Sequence, residues 1–152
     1  MALPSAPILA DPEPLAAVGN AGRLPKGGLG RRLEDLAAGI RGQGGTPLVM
    51  ECDVTDQEQA AAAVERTATE LGRLDTLVNN ARVMLLGPAA GAPLAEWQQM
   101  VELNVVGLLY CARAALPHLR RAAADGPRQV ADMVNVSSVA GRFAVTATGY
   151  TR

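Results

Sequence analysis

Apolar residues recur at two periods along the 152-residue chain. Leu29, Leu33, Leu36 and Ile40 fall three or four apart, which predicts a helix, and Gly42, Gly44 and Gly45 stop it. Leu48-Val49-Met50, running into Glu51-Cys52-Asp53-Val54, reads as a strand. Thr55 with Glu58 three residues on forms a capping-box signature for a helix reaching about Leu71, with Val64, Ala68 and Leu71 on its inward stripe. Leu74 to Asn79 is a short strand, followed by a loop with glycine and proline through Pro93. Trp97, Met100, Val101, Asn104, Val105, Leu108, Ala112 and Leu116 share a stripe of one long helix or two consecutive ones, which Pro117 should bend or end. Met133-Val134-Asn135-Val136-Ser137 is a third strand. Residues 1–28 are crowded with Pro, Gly and Ala and show neither period, so they read as an irregular segment in which Leu15 to Val18 is the one strand-like scrap. Residues 29–152 read as one ordered domain. Strands alternating with helices predict an α/β fold with right-handed crossovers and a parallel sheet.

Composition removes several functions. With 49% hydrophobic residues and 14 Lys+Arg against 15 Asp+Glu, the chain is neither a disordered tail nor a strongly basic nucleic-acid binder. Only 3% of residues are aromatic, too few for a base-stacking platform. Cys52 and Cys111 lie far apart, His118 is the single histidine, and no metal-ligand spacing occurs, so no metal site is expected. The most apolar stretch, Val101 to Leu116, is broken by Glu102, Asn104 and Arg113, so no membrane span is expected. The opening residues lack the basic start and long apolar core of a secretory signal, which predicts a reducing, cytoplasmic setting.

Four segments follow one another: Cys52-Asp53-Val54-Thr55-Asp56, Leu77-Val78-Asn79-Asn80-Ala81, Asn104-Val105-Val106-Gly107 and Val134-Asn135-Val136-Ser137-Ser138-Val139-Ala140-Gly141. Together with Tyr150, this ordered set resembles the short-chain dehydrogenase/reductase superfamily over roughly residues 29 to 150. The resemblance implies a Rossmann-type, doubly wound parallel sheet that binds NAD or NADP outside the carboxyl ends of its strands. It implies hydride transfer between the nicotinamide and a small carbonyl or secondary alcohol. The segments look especially like those of bacterial members acting on hydroxy acids or antibiotic intermediates.

The resemblance also assigns roles. Asp53, with Val54, would hold the adenine through its amino group, where an aspartate can otherwise simply shape a turn. Asn80, Ala81 and Arg82 would run along the cofactor. Asn104, a polar amide in an apolar helix, would either support a proton-relaying water or serve as a satisfied packing residue. Ser137 and Ser138 are adjacent on the expected strand and point to opposite faces, and the match selects Ser138 to hold the substrate oxygen. Tyr150 would be the general acid in reduction, twelve residues after Ser138 and one fewer than the family's usual gap.

The chain also departs from the family. Arg82 stands where members carry the glycine of Asn-Asn-Ala-Gly, and a side chain there is expected to weaken dinucleotide binding. The family's Lys four residues beyond the Tyr has no counterpart before Arg152. Gly19, Gly22, Gly27, Gly28 and Gly30 lie too close to Asp53 to be the family's phosphate loop and read as a flexible loop. Arg31 and Arg32 match a helix start better than an NADP-selecting strand end. The expectation is a partial Rossmann-type sheet lacking the first two strands and the last, marginal in stability, belonging to a fragment with little activity alone. A second reading is a catalytically inactive interaction protein that uses the family's dimer helix, here Leu108, Leu109 and Ala112. A homo-oligomer is expected if the chain folds. A nucleotide-fold methyltransferase is a poorer reading because it gives Ser138 and Tyr150 no joint purpose.

Overall fold

A computed structural model describes residues 15–20, 28–85 and 91–138, with the side chains of 15–20 and 28–32 excepted. The chain forms two compact units, one ending at Cys52 and one beginning at Asp53.

The first unit is a strand, a helix and a strand. Strand β1 (Leu15–Asn20) pairs in parallel with β2 (Pro47–Cys52), from Leu15 beside Pro47 to Asn20 beside Cys52. Helix α1 (Gly28–Gly42) connects them and buries Leu33 and Ala37, while Leu36 stays exposed. Gly44, at φ +85°, supplies the left-handed residue after the helix, and Gly45 donates back to the Ile40 carbonyl at 3.0 Å. Strand β1 lies within the segment whose composition reads as irregular, and its six residues take in the scrap Leu15 to Val18. Its ladder to β2 satisfies backbone groups that Leu-Ala-Ala-Val-Gly-Asn advertises by no alternation.

The second unit holds α2 (Gln57–Glu70), β3 (Thr76–Asn79), α3 (Leu94–Val101), a π-helical segment over Glu102–Gly107, α4 (Leu108–Asp125) and β4 (Asp132–Asn135). Strands β3 and β4 pair in parallel, Thr76 beside Asp132 and Asn79 beside Asn135. Backbone bonds from Asp132 to Asp75 and from Val136 to Asn79, both 2.9 Å, extend the ladder at each end. Rossmann strand order 3-2-1-4-5-6 makes strands 3 and 2 neighbours and strands 4 and 5 neighbours. The pairs β2–β1 and β3–β4, each a separate two-stranded parallel sheet, reproduce those two adjacencies, and between them they hold one strand more than the sequence pattern predicts. Among the described residues, strand 1 of that order has no counterpart.

Small residues let the second unit close. Helix α2 buries Ala60, Ala63, Val64 and Thr67, and α4 buries Ala115, Leu119 and Ala122. Val64, Ala115 and Leu119 form a cluster against which Leu74, Leu77, Ala114 and Ala131 pack. His118 Nε2 lies 3.1 Å from Glu65 Oε2, tying α4 to α2. Arg73 grips Asp75 with two bonds of 2.5 Å, just ahead of the β3 ladder. The same guanidinium and the Ala122 carbonyl fill the space that any side chain at Gly126 would need.

Of the two outcomes expected at Pro117, a bend or an end, the end does not occur, since the helix continues to Asp125. The burial of Leu119 and Ala122 beyond the proline outweighs the one backbone bond that its ring removes. Of the predicted stripe, Trp97, Val101, Val105 and Leu116 are about half exposed, as is Leu109 beside it. The buried positions are Leu103, Gly107, Ala115, Leu119 and Ala122, and at Gly107 the missing side chain admits the Val54 backbone. The run Leu94–Asp125 is long and apolar enough to cross a membrane by length and composition alone.

Candidate active site

The loop after β2 is wound by its own side chains. Asp53 Oδ1 accepts from the Thr55 backbone N–H at 3.0 Å and from Thr55 Oγ1 at 2.8 Å. The Asp53 backbone N–H donates to Gln59 Oε1 at 3.1 Å, and Gln59 Nε2 donates to Asp56 Oδ2 at 2.9 Å. Helix α2 is therefore capped one residue later than expected. Asp56, not Thr55, is the N-cap, accepting from the Glu58 and Gln59 N–H groups at 2.9 and 3.1 Å. Thr55 is unavailable because its hydroxyl is committed to Asp53. The backbone N–H of Gln59, followed by its side-chain amide, holds the Asp56 carboxyl below the usual carboxylate range.

The second carboxylate oxygen of the half-buried Asp53 bonds to no described residue, so it can receive an N–H donor. Next to it, Val54 is buried beneath the π-segment. A Cβ on Gly107 would stand 3.0 Å from Val54 Cγ2 and 3.1 Å from the Val54 carbonyl oxygen. The helix backbone thus lies directly on the loop.

At the end of β3, Asn79 Nδ2 donates to Asn135 Oδ1 on β4 at 2.9 Å, pinning the two carboxyl ends together. Asn80, Ala81 and Arg82 follow and are exposed. The next residue is clamped. The Val83 N–H donates to Asn104 Oδ1 at 2.9 Å, and Asn104 Nδ2 donates to the Val83 carbonyl at 2.8 Å. One lone pair of Asn104 Oδ1 and one N–H of its Nδ2 are engaged by one residue's backbone, as a neighbouring strand would engage them. The side chain therefore positions the loop, and its second lone pair and second N–H are left over for a further partner such as a water. The wide π turn brings this amide to the loop.

Strand β4 stops at Asn135, so Ser137 and Ser138 lie beyond it and not on a strand whose faces would separate them. Both are exposed. Tyr150 lies outside the described residues, as do Gly22 and Gly27. Gly19 belongs to β1, and Gly28 and Gly30 open α1 together with Arg31 and Arg32, so these five positions sit within regular elements.

The described residues suit the adenosine half of a dinucleotide: a half-committed carboxylate, a tightly wound loop and a glycine that brings a helix down upon it. Among them no glycine-rich phosphate cradle follows a strand. Gln59, Val83, Gly107 and Asn135 have no assigned part in the sequence pattern, and Thr55 figures in it only as a helix cap and motif member. Gly107 and Asn135 do lie inside its motifs, and Gln59 stands three residues after the true cap.

A family model described as short chain dehydrogenase matches residues 27–150. The cis-4-hydroxycyclohexanecarboxylate dehydrogenase of Sinomonas cyclohexanicum is 34% identical over 109 residues, covering 71% of this chain and 41% of that protein. A solved short-chain dehydrogenase/reductase from Serratia marcescens is 27% identical with a TM-score of 0.62, covering 70% of this chain and 40% of that one. ElxO, solved with NADP bound, is 26% identical with a TM-score of 0.64, covering 76% of this chain and 44% of that one. The chain thus spans about two fifths of the relatives it matches. Two parallel strand pairs in Rossmann adjacency, the Asp53 and Asn104 geometries at their carboxyl ends and a family match over most of the sequence give one conclusion: the chain belongs to the short-chain dehydrogenase family.

Proposed function

We propose that this chain is the nucleotide- and carbonyl-binding portion of an NAD- or NADP-dependent oxidoreductase acting on a small secondary alcohol or its ketone. The observation that carries the reading is Asp53, whose Oδ1 is consumed by Thr55 while its other oxygen remains open. That oxygen would accept from the adenine amino group, with Val54 against the ring and Asn80, Ala81 and Arg82 along the ribose side. When bound, the dinucleotide supplies the hydride or receives it. Ser138 would hold the substrate oxygen by a hydrogen bond, and Tyr150 would give it a proton in reduction or take one in oxidation. Asn104 would keep the loop after β3 in place beneath the nicotinamide. The alicyclic hydroxy acid in the name of the Sinomonas relative supports a ring-bearing secondary alcohol as substrate. Cys52 and Cys111, which form no disulfide, suit a cytoplasmic setting.

Titration with NADH, followed by nicotinamide fluorescence, tests the nucleotide half. Asp53→Ala should weaken binding about tenfold or more, since a hydrogen bond to a charged group contributes about 1.5–3 kcal/mol. Equal affinity in the variant would defeat the assignment. Tyr150→Phe should abolish turnover of an alicyclic alcohol and leave NADH affinity unchanged.

The half-exposed stripe Trp97, Val101, Val105, Leu109 and Leu116 favours a companion reading, pairing of two copies along this helix, with or without turnover. Leu109→Glu should then shift sedimentation toward the monomer.

A further inference from the structure

We infer that Gly107 is a positioning residue for nucleotide binding: it lets the π-segment rest on Val54 and so fixes the loop that carries Asp53. This rests on the dinucleotide reading for its binding arm only.

The π-segment touches two strand-exit loops from positions three residues apart. Asn104 holds the loop after β3 through both polar groups of Val83. Gly107 meets the loop after β2, where a Cβ would come within 3.0 Å of Val54 Cγ2 and 3.1 Å of its carbonyl oxygen. These two contacts differ in kind. The Asn104 bonds can stretch or be replaced by water. The Gly107 contact is tighter, since an added Cβ would press on the Val54 side chain and on the Val54 carbonyl together, and the carbonyl oxygen can give way only by turning the Val54 peptide.

That peptide joins Val54 to Thr55, whose N–H and hydroxyl both end on Asp53 Oδ1. Turning it moves both donors away from the carboxylate. An added methyl at position 107 is therefore transmitted through one residue to the carboxylate proposed to hold the adenine. Gln59 and the Asp56 cap hold the far side of the loop, so the displacement cannot be spread into α2. Helix propensity alone predicts the reverse result, since Ala is the better helix former.

Gly107→Ala is the test, read by NADH affinity and by amide hydrogen exchange of the full chain, with circular dichroism to show that the helices persist. Affinity should fall about tenfold or more, the scale of a core overpacked by one methyl. Protection at the Thr55 amide should fall with it. The double variant Gly107→Ala/Val54→Ala removes the Cγ2 clash and keeps the carbonyl one, so it should recover part of both losses. Unchanged Thr55 protection in Gly107→Ala overturns the inference. So does lost affinity that Val54→Ala does nothing to restore. If the unaltered chain fails to bind NADH, the dinucleotide reading fails, and the exchange measurement still decides the coupling. If Gly107→Ala does not fold, Val54→Ala alone should lower Thr55 protection by emptying the contact from the other side, and no change there is equally fatal.

Discussion

Replacing Asn104 by Ala tests the link between the π-segment and the strand-exit loop. The substitution deletes two hydrogen bonds, of 2.9 and 2.8 Å, and leaves the Val83 N–H and carbonyl without these partners. Each such bond contributes about 1 kcal/mol net, and the half-buried Val83 lets water recover part of the deficit, so the loss should be about 2 kcal/mol. Alanine returns about 0.5 kcal/mol through better helix propensity, which leaves a net destabilisation of about 1.5 kcal/mol. With a urea m-value of about 1.5 kcal/mol/M, the unfolding midpoint should move down by about 1 M. Hydrogen exchange should show the loss centred on the Val83 amide. Asn104→Asp is a sharper variant, because it keeps the acceptor for the Val83 N–H but turns an oxygen toward the Val83 carbonyl. A midpoint within about 0.2 M of the parent, with Val83 protection intact, would refute the clamp.

Three further outcomes follow from the same contacts. Leu119→Ala should cost about 3 kcal/mol in urea unfolding, because Leu119 is only 5% exposed and packs with Val64 and Ala115. The Asp56 carboxyl has its native pKa lowered, so its stabilisation is fully present above the unfolded value and is lost as the pH falls through the lowered native one. Asp56→Ser keeps a cap that does not titrate, so the stability gap between parent and variant should change only below about pH 4. Arg82→Gly should tighten NADH binding if the side chain obstructs the cofactor path, and an unaltered titration would show that the exposed arginine stays clear of it.

How far the sequence discloses this molecule depends on the range of each interaction. Strands β2, β3 and β4 and helices α1 and α2 announce themselves because period and punctuation are local: Gly42 and Gly44 close α1, and Leu48-Val49-Met50 lies within β2. Strand β1 hides because its stability comes from a partner about thirty residues away. The long helix misleads for a related reason. Its large apolar residues draw the eye to one stripe, whereas the buried face mixes Leu103 and Leu119 with Gly107, Ala115 and Ala122, whose value lies in what they leave out. The N-cap slips by one residue because Thr55 and Asp56 are both good caps, and only the bond from Thr55 to Asp53 decides between them. At the site, Asp53 and Asn104 are legible as motif members. Thr55 lies in the same motif as Asp53 but reads there as a helix cap, and Gln59 and Val83 are not legible at all, since a hydrogen bond to a backbone group leaves no trace in residue type.

The filled space beside Gly126 reaches further than its place in a connecting loop suggests. A methyl there would run into the Ala122 carbonyl oxygen, a backbone atom that cannot swing aside, and would press on the Arg73 guanidinium that holds Asp75, whose carbonyl opens the β3–β4 ladder by accepting from Asp132. In a saturation library sorted for soluble expression, codon 126 should therefore collapse to glycine. Gly39 and Gly91, where an added methyl would meet nothing within 4 Å, should drift freely. A position so resistant to replacement would be one that no assay of chemistry would ever single out.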